Sequence, residues 1–500
     1  MKVFRDISTI GLGDIIGSGI TALFWFYLAS ILDPSGYGQI HYLISIAILT
    51  STFTLLGTQN ILVVYIAKNK DVVLTLLNLA LAAGIIILII STVAFDMFSV
   101  GLLILGIIVF TYGISRNLAR KEFKKYSIYT ILQKSLTAGL AILAYNFFGI
   151  EGIVYGIALS YFVYLKYIIE DIKNTKLSYS QLKIHINELK INKNFILTNY
   201  FLMVTNSITN QVDKLLIVPL LGFTLLGNYS LALQIIVILT MLPGIIFKFA
   251  LTSHAVDGKI SKNLKRNSIL LSFVFVFIGV VIAPIIIPHY FQKYTDVIDI
   301  IQIMSFSVIP ITISLFYFAK FLAIENGKIP LYGGIISSSI MVLGMIVLGT
   351  IFGAKGIAIT HVISYSSLCL FYYIVNKKTE RQISLVGRSM HRIYKAARQC
   401  GYLKNVINPI DPREAKKISR EKIVYLCTGS QGEPMGAMMR IVHYVHPDVF
   451  IEEGDTVIFS SKIIPGNEKK LYNLHNLLVK NGIEVISEEN EFVHVSGHPN

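Results

Sequence analysis

The sequence contains few cysteines and few charged residues for its length. Of its 500 residues, three are cysteines and 15% are charged, whereas about 25% are charged in a typical soluble protein. Cys369, Cys400 and Cys427 fit neither a disulfide framework nor the paired spacing of a zinc site, so we expect reduced, structural thiols. The hydrophobic share is 54% and the mean hydropathy is +0.65. These values exclude an ordinary soluble protein.

The charges that are present are concentrated at one end of the chain. Residues 377–500 carry 18 basic and 14 acidic residues, a density typical of a soluble domain. Residues 1–376 carry only 26 basic and 15 acidic residues. Basic loops on one side of a membrane explain this positive excess without a nucleic-acid partner. The distribution predicts a membrane part over 1–376, a junction over 377–385 and a soluble part over 386–500.

Apolar runs of the length needed to cross a bilayer, about 20 residues each, recur through the membrane part. Twelve spans are predicted, near 8–32, 39–66, 72–94, 98–115, 126–147, 150–169, 195–221, 225–249, 267–289, 300–324, 330–352 and 355–376. The first run lacks an A-x-A cleavage site, so it is predicted to be a span and not a signal peptide. The sequence therefore predicts an all-α polytopic membrane protein with twelve transmembrane helices.

Basic residues occur in every second connection between these spans. They cluster near the N-terminus and in the loops near 68–70, 116–125, 166–193 and 259–266, whereas Lys293 and Lys355 are exceptions. By the positive-inside rule, this alternation predicts that both ends of the membrane part are cytoplasmic. Six spans precede the basic linker 170–194 and six follow it, which predicts two six-helix halves, about 1–169 and 195–376, with a substrate path between them.

Glycine-containing turns occupy matching places in the two halves. The segments are Ile31-Leu-Asp-Pro-Ser-Gly-Tyr-Gly38 and Asp213-Lys-Leu-Leu-Ile-Val-Pro-Leu-Leu-Gly222, the latter followed by Leu226-Gly-Asn-Tyr-Ser-Leu-Ala232. With the span and loop pattern, they resemble the polysaccharide-transporter (O-antigen, lipid-linked oligosaccharide flippase) family of the multidrug/oligosaccharidyl-lipid/polysaccharide exporter superfamily. The resemblance covers about residues 1–376.

This resemblance implies a transporter and not an enzyme. It would flip an undecaprenyl-pyrophosphate-linked oligosaccharide across the bacterial inner membrane by alternating access, for polysaccharide biosynthesis. The implied partners are that lipid-linked oligosaccharide, the bilayer, a polysaccharide polymerase and glycosyltransferases, and no cofactor is implied. A multidrug or cation antiporter of the same superfamily is the alternative, and abundant intramembrane carboxylates would favour it.

Ionisable residues inside spans are costly and are therefore candidate functional groups. Lys134, Lys214 and Lys320 are candidates for neutralising the substrate pyrophosphate, and Asp14 and Asp213 are candidates for ion coupling. The alternative for Lys134 and Lys320 is that they snorkel to the interface. The alternative for Asp213 and Lys214 is a structural polar contact.

The soluble part has a strand and helix pattern of its own. Ile423–Cys427, 455–459 and 483–486 are predicted strands, and 435–444 and 468–481 are predicted helices, which indicates an α/β arrangement with parallel strands. The strings are Val386-Gly-Arg-Ser-Met-His-Arg392, Thr428-Gly-Ser-Gln-Gly-Glu-Pro-Met435, Ser460-Ser-Lys-Ile-Ile-Pro-Gly-Asn-Glu468 and His494-Val-Ser-Gly-His498. They closely resemble the β-CASP region of bacterial ribonuclease J over about 115 residues.

That second resemblance implies RNA contact by His494, Val495, Ser496, Gly497 and His498, a role that we expect to be vestigial here. Two-metal phosphodiester cleavage needs clustered His and Asp, which the family supplies from an H-x-H-x-D-H motif. The sequence contains no such motif, so we expect no metal site and no nuclease activity, against the alternative of an RNA-processing enzyme. The fragment is expected to be a truncated, cytoplasmic α/β domain, arising either from joined reading frames or from a natural fusion.

Overall fold

A computed structural model describes residues 2–55, 62–63, 65–66, 72–174, 193–257, 262–294, 296–323, 327–379, 381–403, 408–461 and 463–487. The chain divides into two compact units, Met1–Tyr373 and Ile374–Asn500. The first is helical throughout its described part, and the second contains both helices and strands. We refer to them as the membrane unit and the soluble unit.

Thirteen α-helices begin within the described part of the membrane unit. They are α1 Lys2–Ile31, α2 Pro34–Thr54, α3 Val72–Phe95, α4 Phe98–Ala119, α5 Phe123–Ser160, α6 Leu165–Asn174, α7 Lys193–Asp257, α8 Lys262–Phe277, α9 Ala283–Tyr290, α10 Val297–Ser305, α11 Val308–Ala323, α12 Lys328–Gly344 and α13 Thr350–Thr379. A 3₁₀ turn over Tyr161–Tyr164 joins α5 to α6. Single π-helical turns, Ile278–Ile282 and Met345–Gly349, join α8 to α9 and α12 to α13. Helices satisfy their own backbone hydrogen bonds, as apolar surroundings require.

Three of these helices are interrupted by a glycine with non-helical dihedral angles. Gly149 breaks α5, Gly222 breaks α7 and Gly353 breaks α13. Gly222 has a φ of 86°, a value that residues with a Cβ rarely adopt. Each break falls between two predicted spans, so the glycines mark the turns that the sequence pattern indicated.

By length and hydropathy, seven helical stretches of the described residues are able to cross a membrane. The number is eight if the bent pair Val297–Ser305 and Val308–Leu322, which meet at 45°, counts as one span. Stretches of 49, 46 and 50 residues contain the glycine breaks, and each exceeds the roughly 20 residues of a single crossing. The helical membrane fold is confirmed, whereas the number twelve and the two six-helix halves remain predictions.

Two glycines bring the backbones of α2 and α7 into close contact. A Cβ added at Gly38 would overlap the carbonyl oxygen of Phe223, and one added at Gly227 would overlap that of Pro34. Tyr37 and Tyr229 are fully buried beside this crossing. Large apolar side chains elsewhere are exposed, for example Val93, which is 81% exposed, as expected for a surface that contacts lipid.

The soluble unit contains two small parallel sheets. Its elements are β1 Gln382–Val386, α14 Arg388–Gln399, α15 Pro412–Ala415, β2 Ile423–Cys427, α16 Ala437–Val442, β3 Thr456–Ile458, α17 Glu468–Lys480 and β4 Glu484–Ile486. Strand β1 pairs with β2, with Leu385 opposite Leu426, and β3 pairs with β4, with Val457 opposite Val485. The predicted parallel α/β pattern is confirmed, and β1 lies mostly within residues that the sequence analysis assigned to the junction.

A separate apolar core holds the soluble unit together. The side chains of Val386, Ile441, Phe459, Leu474 and Leu478 are buried in it. They come from the end of β1, from α16, from the residue after β3 and from one face of α17. Leu471, Leu474 and Leu478 recur at three- and four-residue intervals, the spacing of an amphipathic helix.

Candidate functional site

A polar cavity of about 210 Å³ lies within the membrane unit. Its walls come from α2, from both sides of the break in α7, and from α12 and α13. It is lined by His41, Thr209, Asn210, Asp213, Lys214, Ser230, Leu233, Gln234, Val237, Met341, His361 and Tyr365. Two of the five charged residues singled out from the sequence, Asp213 and Lys214, are therefore brought together here.

Asp213 and Lys214 form a buried ion pair in this cavity. Asp213 is 5% exposed, and its Oδ1 lies 3.3 Å from Lys214 Nζ. Its Oδ2 accepts a hydrogen bond of 2.7 Å from the hydroxyl of Tyr229, and Lys214 Nζ donates to the carbonyl oxygen of Asn210 over 2.6 Å. Both charges therefore have hydrogen-bonded partners, as buried charges require, and the pair is electrically neutral.

Two buried histidines face the same cavity and were not singled out from the sequence. His41 is 7% exposed and His361 is 3% exposed. His41 Nε2 and His361 Nδ1 have no hydrogen-bond partner among the described residues, although buried polar atoms normally have one. Each of these nitrogens is itself almost inaccessible, so a bound molecule reaches it only when a neighbouring side chain moves. The sequence did contain a feature that could have identified them, because both histidines lie inside predicted spans, where ionisable residues are rare.

Aromatic rings fix the positions of the two imidazoles. The ring centroid of His41 lies 4.4 Å from that of Trp25 and 4.7 Å from that of Tyr37. The ring centroid of His361 lies 4.8 Å from that of Tyr365. These contacts restrict the imidazole orientations, so the site is largely preformed.

Lys134 lies outside this cavity, on α5 where that helix packs against α1. It is half-buried, and a Cβ added at Gly17 would lie 3.5 Å from its Cγ. Among the described residues, no carboxylate lies within ion-pair distance of Lys134. Its charge is thus uncompensated in that part of the structure, unlike the charge of Lys214.

The other two candidates from the sequence also lie outside the cavity. Asp14 on α1 accepts a hydrogen bond of 3.0 Å from the hydroxyl of Tyr126, and Lys320 lies in the last turn of α11. The structure therefore places Lys134 and Asp14 at the same α1–α5 interface. It does not bring either of them, or Lys320, into the Asp213 cavity.

In the soluble unit, the predicted RNA contacts at His494, Val495, Ser496, Gly497 and His498 lie outside the described residues. Within the described ranges, no group of three or more His, Cys, Asp or Glu side chains is placed to hold a metal ion. A cavity of about 650 Å³ lies beside α14. Burial raises the pKa of the Cys427 thiol to about 11.

The protein-family comparison matches residues that lie almost wholly in the soluble unit. The family described as "Ribonuclease J, beta-CASP domain" matches residues 371–478. Ribonuclease J of Sinorhizobium meliloti is 41% identical over 119 residues, which are 24% of this chain and 21% of that protein. Ribonuclease J 1 of Streptococcus pyogenes is 40% identical over 122 residues, which are 24% of this chain and 22% of that protein. The chain spans about a fifth of the length of these relatives.

Solved structures similar to this chain are membrane transporters. An inward-facing multidrug resistance MATE family transporter of the MOP superfamily aligns with a TM-score of 0.54 and 14% identity, over 72% of this chain and 93% of its own. The lipid II flippase MurJ, in an inward closed conformation, aligns with a TM-score of 0.59 and 15% identity. The alignment covers 74% of this chain and 87% of the MurJ chain. At these identities the likeness establishes a shared fold and no common substrate.

Proposed function

We propose that the membrane unit exports an oligosaccharide linked to undecaprenyl pyrophosphate across the bacterial inner membrane by alternating access. The transporter fold supports movement of a substrate between two halves. The chemistry of the site supports an anionic substrate with a polar, sugar-containing head group. The step requires binding and release and no bond making, so no cofactor is needed.

This proposal rests on the observation that the charge of Lys134 has no ion-pair partner among the described residues. An uncompensated cation half-buried among apolar helices is costly, and a bound anion offsets that cost. An ammonium group is a suitable point charge for a phosphate oxygen. Lys134 is therefore assigned to the pyrophosphate, and a cationic substrate would be repelled at this position.

The cavity around Asp213 is assigned to the sugar. Its ion pair is neutral, and its remaining polar groups include hydroxyls, amides and the imidazoles of His41 and His361. Such groups hydrogen-bond to sugar hydroxyls. Its volume of about 210 Å³ holds roughly seven waters at about 30 Å³ each, enough for one small polar group. Lys214 becomes available to phosphate only when its pair with Asp213 opens during transport, and Lys320 remains a further candidate contact.

A second candidate function is export of a cationic drug, and Asp213 is the observation that favours it. A bound organic cation can replace the Lys214 ammonium at the Asp213 carboxylate, which Tyr229 already orients. In the same scheme Asp213, or Asp14 in the first half, is the ion-coupling carboxylate. The two functions predict opposite charge preferences for the transported molecule.

Proteoliposomes containing the full chain distinguish the two candidates. A fluorescent undecaprenyl-pyrophosphate-linked oligosaccharide should be flipped by the unmodified protein, and Lys134→Ala should reduce the rate about 10- to 100-fold, the loss expected for one charge-assisted contact. Lys134→Arg should restore much of the rate, and Lys328→Ala, which removes an exposed lysine, should leave it unchanged. Uptake of a cationic dye with no flipping of the lipid would instead establish the antiporter.

Orientation is a separate part of the proposal. Both termini are assigned to the cytoplasm from the alternation of basic loops. A C-terminal fusion to green fluorescent protein should fluoresce, whereas the matching alkaline phosphatase fusion should be inactive. The reverse pattern would place the soluble unit outside the cell and contradict this part of the proposal.

The soluble unit is proposed to lack ribonuclease activity. Its similarity covers about a fifth of ribonuclease J, and cleavage needs a metal cluster that the described residues do not form. The full chain, incubated with a 5′-labelled RNA and Mn²⁺ or Mg²⁺, should leave the RNA intact under conditions in which ribonuclease J degrades it. Degradation above that of a mock purification would overturn this assignment.

A further inference from the structure

Helix α14 of the soluble unit is exposed along its whole length, since none of its twelve side chains is buried. It carries five basic residues, Arg388, His391, Arg392, Lys395 and Arg398. At about 100° per residue these fall within an arc of about 120°, with Met390 and Ala397 on the opposite side. We call these five residues the basic face of α14.

The arginines and the lysine of this face form no ion pair in the described part of the chain. Helix α14 itself contains no acidic residue, and no described carboxylate forms an ion pair with Arg388, Arg392, Lys395 or Arg398. Other basic residues of the same unit are paired: Lys416 lies 3.8 Å from Asp448, and Arg420 lies 3.3 Å from Glu452. Other exposed lysines of the unit, such as Lys417 and Lys469, also form no ion pair among the described residues, but α14 places four unpaired charges on one face, where they are available to an external anion.

The 650 Å³ cavity beside α14 adds a recess to this surface. His391, Lys395 and Arg398 of the basic face line it, together with Tyr394, Asn408 and Asp411. Asp411 caps α15, where its Oδ1 accepts a hydrogen bond of 2.9 Å from the backbone of Arg413. The recess holds two cationic side chains, Lys395 and Arg398, against this one carboxylate, so its charge balance is positive and suits a phosphate-bearing head group.

The short segment between the last membrane-compatible stretch and α14 limits how far the basic face of α14 can lie from the membrane. The last membrane-compatible stretch ends at Lys377, and α14 begins at Arg388. Eleven residues span at most about 40 Å when fully extended. A tether this short holds α14 at a high effective concentration near the bilayer. Basic segments next to a membrane helix are attracted to anionic lipid within about one Debye length, roughly 8 Å.

We propose that the basic face of α14 docks on anionic phospholipid at the membrane surface from which α13 emerges. Arginine and lysine donate charge-assisted hydrogen bonds to the phosphodiester oxygens of the lipid. The recess accepts a head group. This docking is independent of the transport proposed for the membrane unit, and it gives the soluble unit a role that requires no catalysis.

Cys400, which is exposed and directly follows α14, provides a reporter. In a chain carrying Cys369→Ser and Cys427→Ser, Cys400 is labelled with an environment-sensitive fluorophore. The full chain is then reconstituted into nanodiscs of phosphatidylcholine alone or with 30% phosphatidylglycerol, each with brominated acyl chains. Quenching should be at least twofold greater with phosphatidylglycerol and should disappear at 0.5 M salt, because exposed charges are screened.

A matched pair of variants tests which residues are responsible. Replacing Arg388, Arg392, Lys395 and Arg398 by Gln should abolish the lipid-dependent quenching. Replacing the exposed Lys417, Lys469, Lys470 and Lys480 by Gln removes the same charge and should preserve it. Equal quenching in both lipids, or equal loss in both variants, would overturn the proposal. So would an RNA oligonucleotide that binds through the basic face while phosphatidylglycerol has no effect, since the surface would then be an RNA site.

Discussion

The hydroxyl of Tyr229 donates a hydrogen bond of 2.7 Å to the carboxylate of Asp213. The two residues lie on opposite sides of Gly222, where α7 is interrupted. One buried polar contact therefore joins the two segments of α7 and also forms part of the candidate sugar cavity. Any movement of one segment relative to the other changes the surroundings of the Asp213–Lys214 ion pair.

Removing this contact should destabilise the membrane unit. Tyr229→Phe leaves one oxygen of a buried carboxylate without its donor, at a cost of about 1–3 kcal/mol. The melting temperature in detergent should fall by several degrees. Tyr332→Phe, at a tyrosine that is 56% exposed, is the matched control. An unchanged melting temperature for Tyr229→Phe would mean that the contact contributes little to stability.

Enlarging either glycine at the crossing of α2 and α7 should prevent correct folding. Gly38→Leu or Gly227→Leu places side-chain atoms where the opposite backbone lies. Such overpacking typically costs 1–3 kcal/mol or more. Size-exclusion profiles of detergent extracts should show aggregated protein. Gly19→Leu, at a position with no atom within 4 Å of the added Cβ, should remain monodisperse.

Changing the histidines of the cavity should weaken the recognition of the sugar. His41→Ala or His361→Ala removes a hydrogen-bonding group, worth about 1 kcal/mol, and should raise the apparent KM for the lipid-linked oligosaccharide about fivefold. The rate at saturating substrate should change little, whereas the melting temperature should fall, because truncating a buried side chain leaves a cavity. A fall in rate with unchanged KM would place these residues outside the binding site.

Cys400 and Cys427 should differ in reactivity towards maleimide. Burial raises the pKa of Cys427 to about 11, so the fraction of reactive thiolate at pH 7.5 is small, whereas Cys400 is exposed. Labelling of Cys400 should be complete before Cys427 reacts. The rate at Cys427 should rise about tenfold per pH unit until the pH approaches this pKa. Equal rates at pH 7.5 would contradict the packing described for β2, and Cys427→Ser identifies the slow site.

The membrane fold was predictable because every helix that crosses a bilayer needs about 20 mainly apolar residues. Apolar length identified the helices, and the breaks that the structure shows at Gly149, Gly222 and Gly353 fall between predicted spans. In the soluble unit, the alternation of short apolar runs located β2 with its observed bounds. Strand β1 was missed because its apolar residues directly follow the charged end of α13 and no turn signal separates them.

The candidate site was only partly predictable. Charge inside a span identified Asp213 and Lys214, but sequence position does not reveal that they neutralise each other. It also does not reveal that Lys134 lacks such a partner among the described residues. His41 and His361 are more than 300 positions apart in the sequence, and only the tertiary fold brings them to one cavity.

The glycine crossing of α2 and α7 also has a mechanical consequence. Side chains that interdigitate lock two helices at one angle, because rotation requires each side chain to leave the gap that it fills. Gly38 and Gly227 let the two backbones touch, and α2 and α7 also pack against each other extensively on either side of that crossing. The two helices should therefore move as one body, since a change in the angle between them would break this packing.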